Sequence, residues 1–190
     1  PIFECLKQIF HRPGSVLEIG CGTGQHAVYM AQRLPQLYWQ PTDLAPAVDG
    51  AAMWVNEAGL ENIAQPIAFD ATSSLWPSNP HHDSSLWDYV FSANTLHFIP
   101  WKSVQKLVTG SSQHMQVGGL LAVYGPFNEN GFTSDGNAAL DNWLKMDIHP
   151  EAGIKERAEV QAMAEQNQFE LISNIEMPAN NRLLVFQKME

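Results

Sequence analysis

The 190-residue sequence predicts an α/β domain, a three-layer sandwich with helices on both faces of a mostly parallel, seven-stranded sheet that ends in an antiparallel hairpin. Three observations predict it. Apolar runs of strand length alternate five times with segments of helical periodicity, the pattern of a parallel sheet with crossover helices. A glycine-rich turn, Gly20-Cys21-Gly22-Thr23-Gly24, stands between the first strand and the helix after it. The last two apolar segments are separated only by Pro178-Ala179-Asn180-Asn181. A parallel crossover takes about a dozen residues or more, so these two strands pair antiparallel.

Ile2, Cys5, Leu6, Ile9 and Phe10 recur at helical spacing and define an amphipathic helix that Pro13-Gly14 ends. Ser15 to Ile19 is a short apolar strand running into the glycines. Ala27, Met30, Ala31 and Leu34 are again helical in spacing, and Pro35 stops that helix. Leu37 to Gln40 reads as the second strand. Val48, Ala51, Ala52 and Val55 give the next helix its apolar face, closed near Gly59, and Ala64 to Phe69 is the third strand. Thr72 to Ser85, rich in Ser, Pro and His, is a loop. Asp88 to Ser92 is the fourth strand. Trp101, Val104 and Val108 mark a helix that begins after Pro100, and Gly119 to Tyr124 is the fifth strand. Asn128 to Asp135 reads as a loop; Leu140, Trp143 and Leu144 suggest a short helix, and a second helix is expected over roughly Lys155 to Gln166. Phe169 to Met177 and Arg182 to Gln187 close the chain as the hairpin strands. Residues 1–190 are expected to form one domain, with 127–153 as an insert on the substrate side. The chain opens at Pro1 inside a helical pattern, so further residues are expected before it.

Hydrophobic residues make up 45% of the chain and charged residues 16%, a composition that folds. Ten Lys and Arg face twenty Asp and Glu, a net charge of −10. Such a surface repels a phosphate backbone, so no nucleic-acid partner is expected, while its field favours a cationic small ligand. Two cysteines, Cys5 and Cys21, make no disulfide framework, and a reducing, cytoplasmic setting is expected. No apolar run approaches the ~20 residues of a membrane span, and no signal peptide is visible. His81-His82-Asp83 lies in a polar loop without a partner at fixed spacing, so no metal site is expected. Cys21 sits at a helix N-terminus, where a thiol can turn acidic.

Ligands of open α/β sheets bind beyond the carboxyl ends of the strands. At the first of these ends Gly20 and Gly22 let the backbone turn tightly and approach a ligand, and the following helix aims free N–H groups at it. The dinucleotide fingerprint G-x-G-x-x-G is not met, because its third glycine position holds Gln25. At the end of the second strand stands Asp43, 19 residues beyond Gly24. An ionised carboxylate only accepts hydrogen bonds, so one Asp there can hold both hydroxyls of a ribose. It can also cap the helix that begins near Leu44, and the two roles can coexist.

Glu18, Gly20, Gly22 and Gly24 fit the pattern acidic-x-G-x-G-x-G. This resembles the first motif of the class I S-adenosylmethionine-dependent methyltransferases, whose Rossmann-like fold also ends in an antiparallel hairpin. The resemblance runs over the whole chain. It is closest to a branch of small methyltransferase-like proteins, through Gly24-Gln25-His26, Asn94-Thr95-Leu96-His97-Phe98, Tyr124-Gly125-Pro126-Phe127 and Pro178-Ala179-Asn180-Asn181. Members of that branch carry an extra N-terminal stretch over the cofactor and have no established acceptor. The resemblance implies that Glu18, Gly20, Gly22, Gly24, His26, Asp43, Leu44, Asp70, Ala71 and Asn94 hold S-adenosyl-L-methionine. Asp70 would accept from the adenine amine and the Ala71 N–H would read the ring. Asn94 would touch the methionine part or the acceptor. His97 would be a general base, or a packed histidine that orients a loop. Tyr124, Phe127, Trp143, Asn180 and Asn181 are expected at the acceptor pocket; an aromatic of this segment taken singly reads first as a core residue, and the two Asn also suit the hairpin turn.

The implied activity is in-line methyl transfer to a small O, N or S nucleophile. Proximity and orientation can supply ~7–11 kcal/mol of the barrier reduction. A base is needed only where the acceptor must lose a proton. Two other readings stay open: a non-catalytic protein that keeps the fold and the cofactor as an interaction module, and a nicotinamide-dependent oxidoreductase. The absent third glycine and the terminal hairpin oppose the latter.

Overall fold

A computed structural model describes residues 1–190. In chain order it contains α1 (Ile2–Ile9), β1 (Gly14–Ile19), α2 (Gln25–Arg33), β2 (Leu37–Asp43), α3 (Ala45–Ala58), β3 (Ile67–Ala68), β4 (Trp87–Ala93), α4 (Trp101–Gln113), β5 (Met115–Asn128), α5 (Asp135–Trp143), a π turn (Leu144–Ile148), β6 (Lys155–Glu156), α6 (Arg157–Gln166), β7 (Phe169–Met177) and β8 (Asn181–Lys188). The sheet order is β3-β2-β1-β4-β5-β8-β7, with the two-residue β6 paired to the end of β5. β1 to β5 run parallel; β8 is antiparallel to both β5 and β7. The expected mostly parallel sheet with an antiparallel terminal hairpin is the observed one.

Side-chain alternation sorts the core into two layers. Val16, Trp39, Tyr89, Phe91 and Ala122 pack on one face against Leu6 of α1, Phe10 just after it, Met30 of α2 and Val55 of α3. Leu17, Val90, Leu121, Val123 and Phe127 pack on the other against Val104, Leu107 and Val108 of α4 and Val160 of α6. No helix is long and apolar enough to cross a membrane.

Four elements differ from their expected extent, each for a local reason. β2 continues through Pro41 to Asp43, because β1 pairs with it as far as Ile19↔Thr42. The third strand shrinks to Ile67–Ala68 because Pro66 supplies no N–H; upstream of it only Trp39↔Ile63 bridges the strands. β5 is far longer than its apolar run, because β4, β8 and β6 pair with it in succession as far as Asn128. Lys155 and Glu156, expected to start the last helix, pair with Phe127 and Asn128, and α6 begins at Arg157.

Candidate functional site

The chain leaves β1 towards β2 and β3, then returns to lay β4 on the opposite side of β1. A crevice opens at the carboxyl ends where the order reverses. It holds a cavity of about 530 Å³, lined by residues from the ends of β1 to β4 and by Ser103 and Leu107 of α4.

The glycine turn forms its floor. The Gly20 and Cys21 N–H groups both donate to the Thr42 carbonyl at 3.0 Å, tying the turn to the end of β2. Gly20 has φ +79°, and a Cβ there would overlap Thr95 Oγ1, so only glycine fits. Gly24, also left-handed, faces α3: a Cβ would sit 3.1 Å from Ala51 Cα. Gly24 is thus the close contact between α2 and α3 and does not line the cavity. As N-cap it offers no side-chain acceptor, which leaves the first N–H groups of α2 free.

Asp43 lies on the cavity wall with both oxygens oriented by backbone. Oδ2 accepts from the Gly22 N–H at 2.7 Å and Oδ1 from the Leu44 N–H at 2.7 Å. Each oxygen keeps a further lone pair for a ligand. Leu44 projects beside it, 56% exposed. At the end of β3, Asp70 Oδ1 accepts from the Thr72 N–H at 2.8 Å, which leaves Oδ2 free. The Ala71 N–H makes no hydrogen bond within the chain. Gly20, Gly22, Asp43, Leu44, Asp70, Ala71 and Asn94 therefore share one cavity.

Asn94 follows β4 at φ +55°, a conformation Asn tolerates, and its N–H donates to the Tyr124 carbonyl at 2.8 Å. His97 lies behind this wall, 6% exposed, with its ring 4.6 Å from that of Phe98. Burial and the nearby Lys155 cation push the His97 pKa down to about 4, so the imidazole is neutral at physiological pH. A Cβ on Gly125 would lie 3.6 Å from His97 Nδ1 and 4.0 Å from Asn94 Oδ1, so the three meet where β5 passes the cavity. Phe98 lines the cavity, and the exposed Trp143 ring stands edge-on to it at 6.4 Å.

Several expected site residues lie elsewhere. Glu18 alternates to the α1–α3 side of the sheet. It is fully buried, and its Oε2 accepts from Trp39 Nε1 at 2.7 Å. Burial, reinforced by the Asp43 charge, outweighs that bond and raises its pKa to about 7. His26 is exposed on the first turn of α2 and does not line the cavity. The Phe127 assignment is corrected: its ring is 1% exposed and belongs to the α4–α6 core layer, with Val123 and Leu121. Tyr124 is half-buried against the opposite layer, and burial raises its phenol pKa. Asn180 and Asn181 line a separate hollow of about 330 Å³ with Thr133 and Arg182. Cys21 is not acidic: burial, Glu18 and Asp43 push its thiol up to about 12.

Thr95 and Phe98 belong to the Asn94–Phe98 motif without a role of their own in the sequence reading, and Ser103 and Leu107, taken singly, carry no sequence signal; all four line the cavity. Thr95 Oγ1 donates to the Ile19 and Ala93 carbonyls, each at 3.3 Å, and so braces β4 against β1. Ser103 and Leu107 are four residues apart on one face of α4, a spacing readable in the sequence once that face is known to look at the strand ends.

The matching family model, described as a protein of unknown function, DUF938, covers residues 1–188. A ribosomal RNA small subunit methyltransferase C of Yersinia pestis (strain Pestoides F) is 28% identical over 125 residues, 62% of this chain and 33% of that one. The structure of apo SibL, an S-adenosylmethionine-dependent methyltransferase, superposes with a TM-score of 0.81 at 21% identity, over 100% of this chain and 54% of that one. An O-methyltransferase family protein from Burkholderia thailandensis gives 0.83 at 14% identity, over 100% and 56%. The chain thus spans a third of the length of the curated relative and about half that of the solved structures. It belongs to the DUF938 family, and its fold is that of the S-adenosylmethionine-dependent methyltransferases.

Proposed function

We propose that this protein is an S-adenosyl-L-methionine-dependent methyltransferase acting on a small acceptor. The observation that carries the reading is Asp43, held at the cavity wall by the Gly22 and Leu44 N–H groups with lone pairs left for a ribose diol. The residues present fit the cofactor. Gly20 and Gly22 leave the backbone bare beside the free N–H groups of α2. Asp70 Oδ2 and the Ala71 N–H offer the acceptor and donor that an adenine edge requires, and Leu44 gives its ring an apolar face.

When bound, the cofactor would supply a sulfonium-activated methyl group for transfer to the acceptor. The chain's own part is orientation. Asn94 supplies the polar group of the wall nearest β5. The buried, neutral His97 acts as a positioning residue. It backs Phe98, and its carbonyl accepts the Gly153 N–H at 2.9 Å, which ties the insert to the cavity. An acceptor proton then leaves to solvent.

The net charge of −10 supports a small acceptor over ribosomal RNA, the substrate in the Yersinia relative's name, because counterion release needs cations on the protein. The O-methyltransferase description of the Burkholderia neighbour supports the same choice. Thermal unfolding with S-adenosylmethionine, S-adenosylhomocysteine and NADH in parallel tests the reading. At about 100 times Kd a ligand adds ~2.7 kcal/mol, a rise of roughly 5–10 °C for a chain of this size. The two sulfur nucleosides should give that rise; a rise with NADH alone would replace the reading with a nicotinamide enzyme.

A further inference from the structure

We infer that Phe98 and Trp143 form one corner of an acceptor subsite for a neutral, planar aromatic nucleophile of the phenol class. The inference rests on the methyltransferase reading above and adds the chemistry of the acceptor.

Both rings are large and wet. Phe98 is 38% exposed on the cavity wall, and Trp143, on the last turn of α5, is 45% exposed. Their planes stand at 89° with centroids 6.4 Å apart. A planar guest that stacks on one ring of such a corner presents its edge to the other, and both contacts suit the aromatic quadrupole. His97 packs on Phe98 at 4.6 Å from the protein side. The corner is also fixed. The insert that carries Trp143 is tied to the loop after β4 through Gly153 N–H to His97 carbonyl, 2.9 Å. Just beyond the insert, Ile154 N–H donates back to Asp141 Oδ1 within it at 2.8 Å. Asp141 is 4% exposed, so that bond is shielded from water.

Charge selects the guest. The only ionisable side chains on the cavity wall are Asp43 and Asp70, at the ends of β2 and β3. The β4 side, beyond β1, presents Asn94, Thr95 and Phe98 and no charge. A charged acceptor would lose its hydration there without a counter-ion, whereas a neutral aromatic ring with one hydroxyl meets apolar faces and one amide.

The test uses saturation-transfer NMR on the protein loaded with S-adenosylhomocysteine, with 1-naphthol as the probe and cyclohexanemethanol and benzoate as controls. Naphthol should bind and both controls should bind at least several-fold more weakly. Trp143→Ala should weaken naphthol about fivefold, Trp143→Phe should restore most of it, and S-adenosylhomocysteine affinity should stay unchanged in both. Equal binding of naphthol and cyclohexanemethanol, or naphthol affinity indifferent to Trp143→Ala, would overturn the inference. So would a parallel loss of S-adenosylhomocysteine affinity, which would assign the corner to the nucleoside. Failure of S-adenosylhomocysteine to bind the unmodified protein would remove the underlying reading itself; naphthol failing on a loaded protein removes only the acceptor class.

Discussion

Trp39 Nε1 donates to Glu18 Oε2 across 2.7 Å, so the acidic residue of the glycine motif is turned away from the cavity and into the α1–α3 layer. Its carboxyl is raised from 4.5 to about 7, first by burial. A raised folded pKa contributes stability that is complete below about pH 4.5 and lost as pH rises through 7. Glu18→Gln keeps an acceptor for Trp39 and has nothing to ionise. Urea unfolding at pH 5 and pH 8 should show the variant gaining on the parent by roughly 1–3 kcal/mol at the higher pH. A pH-independent difference would mean that Glu18 is charged and solvated throughout.

His97 should titrate near 4, far below an ordinary imidazole, because it is buried and faces Lys155. Lys155→Met removes the smaller of these causes, so the pKa should rise in the variant yet stay below 6.5. Imidazole NMR resonances followed from pH 3 to 8 in both proteins give the answer. A parent His97 titrating near 6.5 would refute the buried, neutral state and reopen its candidacy as a base.

Gly20→Ala should destabilise the fold by about 2 kcal/mol, from a left-handed alanine and from overlap with Thr95 Oγ1. Thr95→Ala removes the overlap, so the double variant should recover part of the loss in a double-mutant cycle on denaturant unfolding. Strict additivity would show that the turn does not press on Thr95.

The order of elements, the glycine turn and the short Pro178–Asn181 link were all legible, because each depends on local chemistry. What failed was facing. Phe127 follows Leu121 and Val123 at even spacing, so strand parity already put it in the core. That signal was hidden because β5 was expected to stop at Tyr124, and its extension depends on pairing with β8 and β6. Glu18 likewise alternates with Leu17 and Ile19 onto the layer that contains Trp39, a partner that only the fold brings near. The place of Asp43 on the cavity wall is legible because its position at a strand end is a sequence fact. Thr95 and Phe98 stand in a quoted motif, but their roles are not legible because they arise from contacts with Ile19 and Trp143, distant in sequence.

The most direct test of the central claim is calorimetric titration of S-adenosylhomocysteine into the protein and into Asp43→Ala. Binding to the parent with a loss of at least about 100-fold in the variant is expected, since two charge-assisted hydrogen bonds to a ribose contribute roughly 3–5 kcal/mol. Circular dichroism should show the variant folded. Equal affinity in the two proteins, or no heat with either, would contradict the assignment of this cavity to the nucleoside.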